Sequence, residues 1–172
     1  MISFKYRCLV IISPLILVLD QITKWLIRER IPFGHAIPVI PGYVDLVHVM
    51  NTGAAFGMLA GGHAGWRTPF FLALSVVALA AIGRLLSTLP ASARLLPVVF
   101  SLMIGGILGN VIDRLRFGAV VDFLSVHWRD VVWRADIAGL RLRIPLDWPA
   151  FNVADSAITV SMVLLCYHMI RK

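Results

Sequence analysis

Residues 98–123 read "VVFSLMIGGILGNVIDRLRFGAVVDF". The first half is apolar enough to lie in lipid. The second half sets Asn110, Asp113, Arg114, Arg116 and Asp122 within a few turns of one another. On a soluble helix such charges would simply face water. At the end of a membrane span they sit where charge is costly, and residues of that kind commonly face a bundle interior and mark a functional site. The rest of the chain decides between the two readings.

Composition favours the membrane. Of 172 residues, 59% are hydrophobic and only 15% charged, whereas soluble domains carry about a quarter charged residues. A spanning helix needs about 20 mostly apolar residues. Four stretches qualify, at about Cys8–Ile27, Pro69–Leu86, Leu95–Ile112 and Phe151–Ile170. Outer loops at about 28–68 and 113–150 separate them. The expected fold is an α-helical integral membrane protein, a four-transmembrane-helix bundle forming one domain over 1–172. The first stretch starts basic (Lys5, Arg7) as a signal peptide does, but it has no small-x-small cleavage site and breaks at "DQITK". A retained helix is therefore expected.

The net charge of +7 does not indicate nucleic-acid binding, because the basic residues are scattered around apolar segments and form no basic domain. Cys8 and Cys166 lie in opposite terminal spans, which suggests neither a disulfide framework nor a metal site. No metal and no cofactor are expected.

With four spans, both termini and the 87–94 loop share one side. That side carries Lys5, Arg7, Arg84, Arg94, Arg171 and Lys172 and no acidic residue. All nine acidic residues fall on the other side, together with nine arginines and Lys24. A raw count of Lys and Arg would invert the topology. The short, purely basic loop and tails instead mark the acid-free side as cytoplasmic.

The polar residues within spans then converge on one face. Asp20 and Lys24 lie one turn apart at the outer end of span one. Asn110, Asp113 and Arg114 end span three, Asp122 follows, and Asn152 and Asp155 open span four. Each has a structural alternative. Asp20 and Lys24 would neutralise each other across one helical turn. Asp113 and Arg114 project differently and need separate partners. Asn152 suits a helix cap, with Asp155 in the first turn. The small residues Gly105 to Gly109 suit close helix packing.

Among the loops, "YVDLVHVMNTGAAFG" (43–57) begins as a strand and breaks at Asn51 and Gly53, which suit a tight turn. "LRLRIPLDW" (140–148) alternates apolar and basic residues, so a small extracytoplasmic β-sheet is expected. Trp66, Trp128, Trp133 and Trp148 fall on the same side, as interfacial anchors do.

The chemistry narrows by elimination. HExxH, GxSxG and a His/Cys cluster are all missing from the sequence, and they mark zinc and serine hydrolases and metal sites. A Ser156/Lys24 dyad remains open. So does a carboxylate pair, Asp122 with Asp155, which in a low-dielectric site would share a proton and act as acid and base together. An intramembrane aspartyl hydrolase, a proton-coupled transporter and a non-catalytic adaptor are all compatible with buried carboxylates.

"DQITK" (20–24), "NTGAAFG" (51–57), "GNVIDR" (109–114), "VVDF" (120–123) and "FNVADS" (151–156) resemble, in order, the motifs of the bacterial lipoprotein signal peptidase (signal peptidase II) family. The resemblance runs over the whole four-span chain. It implies an aspartyl endopeptidase of the cytoplasmic (inner) membrane that removes signal peptides from diacylglyceryl-modified prolipoproteins. It implies Asp122 and Asp155 as the catalytic dyad, with Asn110, Arg114 and Asn152 as polar site residues. Asp20, Lys24 and Asn51 would support the site or touch substrate, and Asp113 would be structural. It further implies a periplasmic β-cradle, a short half-helix, contact with membrane lipid and inhibition by globomycin-type peptides; a monomer is expected. One departure stands out. The 32 residues between Asp122 and Asp155 are more than the family pattern leads one to expect, and "RADIAGLRLRIPLDW" has the look of an insertion.

Overall fold

A computed structural model of the chain describes residues 3–53, 64–137 and 140–171. Its elements, in order, are α1 (Phe4–Arg30), β1 (Ala36–Ile40), β2 (Val44–Asn51), a 3-10 turn (Ala64–Trp66), α2 (Arg67–Thr88), α3 (Leu95–Phe117), β3 (Val120–Ile137), β4 (Leu140–Phe151) and α4 (Val153–Ile170). All four helices are long and apolar enough to cross a membrane. They match the four expected spans with shifted ends. Helix α1 runs a turn further outward, α3 continues through Asp113 to Phe117, and Asn152 stands before α4 as its cap.

Helix α3 is the hub, packed against α1, α2 and α4. Its glycines make this possible. A Cβ at Gly105 would lie 2.8 Å from the Ser13 carbonyl oxygen of α1, and one at Gly106 would lie 2.6 Å from that of Ala154 in α4. The small-residue stretch therefore serves close packing, as expected. Among the described residues the bundle is turned inside out relative to a soluble protein. Val10, Ile11, Leu15, Val76, Val77 and Val163 are exposed, while Asp20, Lys24, Asn110, Asp113, Asp122 and Asn152 are buried. An apolar exterior of this kind suits lipid contact.

Two apolar clusters flank the polar interior. Leu86, Val99, Phe100 and Met103 pack at the end that carries the 87–94 loop. Ile27, Ile31 and Phe123 pack where the sheet meets α1. The sheet is an antiparallel meander, β1-β2-β3-β4, fastened to the end of α1 by His48 Nδ1 against the Ile31 carbonyl, 2.8 Å.

The stretch that looked inserted is continuous with this sheet. Strands β3 and β4 form a long hairpin whose register pairs Trp133 with Ile144 and Asp136 with Arg141. Trp66, Trp128 and Trp148 are exposed, as interfacial anchors require. The side chain of Trp133 and the "AAFG" part of "NTGAAFG" lie outside the described residues, which contain no half-helix beyond the 3-10 turn.

Candidate active site

The site forms because three chain reversals bring distant motifs to one end of the bundle. Helix α3 ends at Gly118, whose φ of 70° is a left-handed conformation open to glycine at little cost. The Gly118 N–H donates to the Arg114 carbonyl at 3.0 Å. The chain then enters β3, and Asp122 arrives beside the end of the helix it has just left. Strand β2 lies next to β3, pairing Asn51 with Val120 and Val49 with Asp122. Strand β4 returns the chain to Asn152, where α4 starts.

Beneath this lies a buried ion cluster. Lys24 Nζ contacts Asp20 Oδ2 at 2.8 Å and Asp113 Oδ2 at 2.9 Å. All three residues are at most 2% exposed. Both carboxylates also hold backbone. Asp20 Oδ1 accepts from the Ala154 N–H at 2.9 Å, and Asp113 Oδ2 from the Val121 N–H at 3.0 Å. Each of those amides immediately precedes one of the two candidate catalytic aspartates.

Three asparagines present amide N–H groups to that pair. Asn51 Nδ2 donates to Asp122 Oδ2 at 3.0 Å, and Asn152 Nδ2 to Asp122 Oδ1 at 2.8 Å. Asn110 Nδ2 donates to Asp155 Oδ1 at 2.7 Å. In every case a donor on the amide oxygen fixes which way the side chain faces. The Gly53 N–H holds Asn51 Oδ1, the Asp155 N–H holds Asn152 Oδ1, and Lys24 Nζ holds Asn110 Oδ1, the last at 3.0 Å.

Asn152 thus caps α4 and contacts Asp122 at once, so both expected roles coexist. Asp122 is 2% exposed. Burial, then the neighbouring Asp155 charge, push its carboxyl from 3.8 up to about 7, although the Asn51 and Asn152 hydrogen bonds act in the opposite direction.

A cavity of about 580 Å³ opens beside the pair, lined among others by Asn51, Arg114, Asp155, Trp148 and Ile158. The Arg114 guanidinium stacks 4.8 Å from the Phe71 ring and donates to the Asn110 carbonyl at 3.4 Å.

All eight candidate residues are brought together: Asp122, Asp155, Asn51, Asn110, Arg114, Asn152, Asp20 and Lys24. Ser156 and Lys24 do not form a dyad. Ser156 Oγ donates to the Asn152 carbonyl, while the Lys24 ammonium has Asp20, Asp113 and Asn110 as partners. Gln21, outside the eight candidates, joins the network: its amide donates to Asp113 Oδ1 at 3.0 Å and the Gly109 carbonyl at 3.2 Å. Its place inside "DQITK" was the available signal.

Fold and site together define a class: a multi-pass membrane protein with a hydrogen-bonded carboxylate pair at one end of its helix bundle. Residues 12–171 match the family model described as signal peptidase (SPase) II. A lipoprotein signal peptidase of Geobacter metallireducens is 41% identical over 167 residues, covering 97% of this chain and 93% of its own. That of Nitratidesulfovibrio vulgaris is 41% identical and covers 100% and 94%. Two solved bacterial membrane enzymes, obtained by the in meso method, superpose with TM-scores of 0.78 and 0.75 at 28% identity. They cover 98% and 99% of this chain and 90% and 96% of theirs. The chain belongs to the signal peptidase II family of aspartic peptidases. This family sets aside the transporter and adaptor alternatives.

Proposed function

We propose that this chain cleaves diacylglyceryl-modified prolipoproteins just before the lipidated cysteine, with Asp122 and Asp155 as its catalytic pair and residues 1–172 as one membrane-embedded peptidase domain. The observation that carries the reading is the convergence of two carboxyl groups on one buried amide network beside an open cavity. Asp122, raised to about 7, enters the reaction carrying the pair's proton. Asp155 lines the cavity in the first turn of α4, accepts from the Asn110 amide, and acts as the base. It takes a proton from water as the water oxygen bonds to the scissile carbonyl carbon, and Asp122 protonates the carbonyl oxygen. The C–N bond then breaks as the proton held by Asp155 passes to the departing cysteine nitrogen and Asp122 takes back a hydroxyl proton, which restores the C=O bond of the new carboxyl group and returns the pair to its starting state.

Asn51, Asn110 and Asn152 hold the two carboxyl groups in register. Arg114, on the cavity wall, offers a cation to a substrate carbonyl or a lipid headgroup. Asp20 and Lys24 support the site from below. The site lies near the periplasmic face of the bacterial inner membrane, with both termini cytoplasmic. The protein works as a monomer in contact with membrane lipid and is inhibited by globomycin-type peptides. Purified protein in detergent is expected to cleave a diacylglyceryl-modified precursor, to spare the unmodified one and to stop when globomycin is added. Failure to cleave the modified precursor overturns the reading.

A further inference from the structure

Of the three asparagine amides that face the aspartate pair, two are held in orientation by backbone N–H groups and the third by a side chain. We infer that Lys24 is a positioning residue whose ammonium locks the Asn110 amide so that its NH2 group is aimed at Asp155. The inference rests on the proposed roles of Asp122 and Asp155, and it adds a residue that acts on the pair through another side chain.

The chemistry is that of an ammonium, which has three N–H donors and no acceptor. Those donors meet Asp20 Oδ2, Asp113 Oδ2 and Asn110 Oδ1 at 2.8, 2.9 and 3.0 Å. The amide atom of Asn110 that faces Lys24 is therefore oxygen. A second donor, Asn152 Nδ2, reaches the same oxygen at 3.3 Å. The NH2 group of Asn110 is left facing Asp155 Oδ1 at 2.7 Å. Without the ammonium, the amide is freer to turn and set its oxygen against a carboxylate oxygen, which repels it. The two carboxylates hold the ammonium in place, and they also fix the amides of Val121 and Ala154. Lys24 is thus anchored to the backbone that carries both aspartates while it orients the donor to one of them.

Replacing Lys24 alone would leave Asp20 and Asp113 buried without a cation, which is strongly destabilising. The test therefore pairs Lys24→Met with Asp20→Asn, which preserves the cluster's net charge, and takes Asp20→Asn alone as the reference. Steady-state cleavage of a diacylglyceryl-modified precursor is measured for both, with thermal unfolding in the same detergent. Relative to the reference, the double variant is expected to lose kcat by up to about a hundredfold, the scale of a misplaced catalytic group, while KM changes little. The same Lys24→Met change made on top of Asp20→Asn and Asn110→Ala is expected to cost little further kcat, because nothing remains to be oriented.

A double variant with the kcat of the reference overturns the inference. So does an undiminished Lys24 effect in the Asn110→Ala background. If the Lys24 variants do not fold, Asn110→Asp decides. It keeps an acceptor for Lys24 and replaces the donor to Asp155 by an oxygen, so kcat should fall with KM held; an unchanged kcat overturns the inference. Activity retained by Asp155→Asn would instead overturn the catalytic reading itself.

Discussion

Asp122 and Asp155 are placed alike, yet their surroundings differ. Asp122 is nearly sealed, whereas Asp155 lines the cavity. Asp122→Asn and Asp155→Asn should each remove about 10²–10⁴-fold of peptidase activity, the usual worth of a positioned acid or base. Both should remain folded, because a neutral isostere costs less to bury than a carboxylate. Asp113→Asn should instead lower the unfolding temperature in detergent while keeping measurable turnover, since Asp113 bonds Lys24 and the Val121 amide rather than the cavity. A stable but inactive Asp113→Asn beside an active Asp122→Asn would reverse the catalytic assignment. Stability should also depend on pH through Asp122. Its carboxyl is raised from 3.8 to about 7, so between those values the folded chain holds a proton that the unfolded chain has released. The contribution of Asp122 to stability is therefore fully present below about 4 and is lost as pH rises through about 7, with the slope set by the difference in bound protons. Unfolding temperatures measured from pH 5 to 8 should fall more steeply for the wild type than for Asp122→Asn.

The helices act on the site through how closely they approach. A Cβ at Gly106 would meet the Ala154 carbonyl at 2.6 Å and Ile158 Cγ1 at 2.8 Å. Gly106→Ala should therefore push α4 from α3, cost about 1–3 kcal/mol as overpacking does, and lower kcat by moving Asp155. Gly83 in α2 has nothing within 4 Å of the same added atom. Gly83→Ala should leave activity intact and stabilise by about 0.4–1 kcal/mol, because it restricts the unfolded chain. Thermal unfolding of the two variants in one detergent measures the contrast, and equal behaviour would show that α3 and α4 tolerate separation. The hairpin of β3 and β4 works at the same scale. Asp122 lies near one end of it, and the other end leads straight into the Asn152 cap, so pairing within the hairpin helps to place both aspartates.

Across the whole molecule, charge is sorted along the bundle axis. The end bearing both termini and the 87–94 loop is free of acidic residues, and the opposite end holds all nine. Short basic loops favour the cytoplasm, so the sheet and the aspartate pair should face the periplasm. Single cysteines placed at Ser92 and at Asp136, in a background lacking Cys8 and Cys166, report on this directly. An impermeant thiol reagent added outside should modify position 136 and spare 92; labelling at 92 alone would invert the topology. The same arrangement would suit the proposed substrate, because a cysteine anchored by acyl chains in the outer leaflet would offer its scissile bond near that surface.

The sequence by itself determined the four spans, since each is a long apolar run whose period and length need no tertiary context. It also determined which polar residues share one end, because consecutive spans alternate direction. Expectations for Asp20, Lys24, Asn110 and Asn152 followed, as did the packing role of Gly105 to Gly109. Only the tertiary structure decided the partners. That Lys24 bridges Asp20 and Asp113, that Asp20 holds the Ala154 amide 134 residues away, and that Gln21 joins the network depend on how the helices are rotated about their axes. Hydropathy carries little information about that rotation. The run that looked inserted was legible as alternating but not as paired, because strand register is set by the neighbouring strand and the turn. The Ser156/Lys24 option failed for the same reason. Sequence placed both residues on one side of the membrane, and burial then gave the ammonium to carboxylates that could not be left without it.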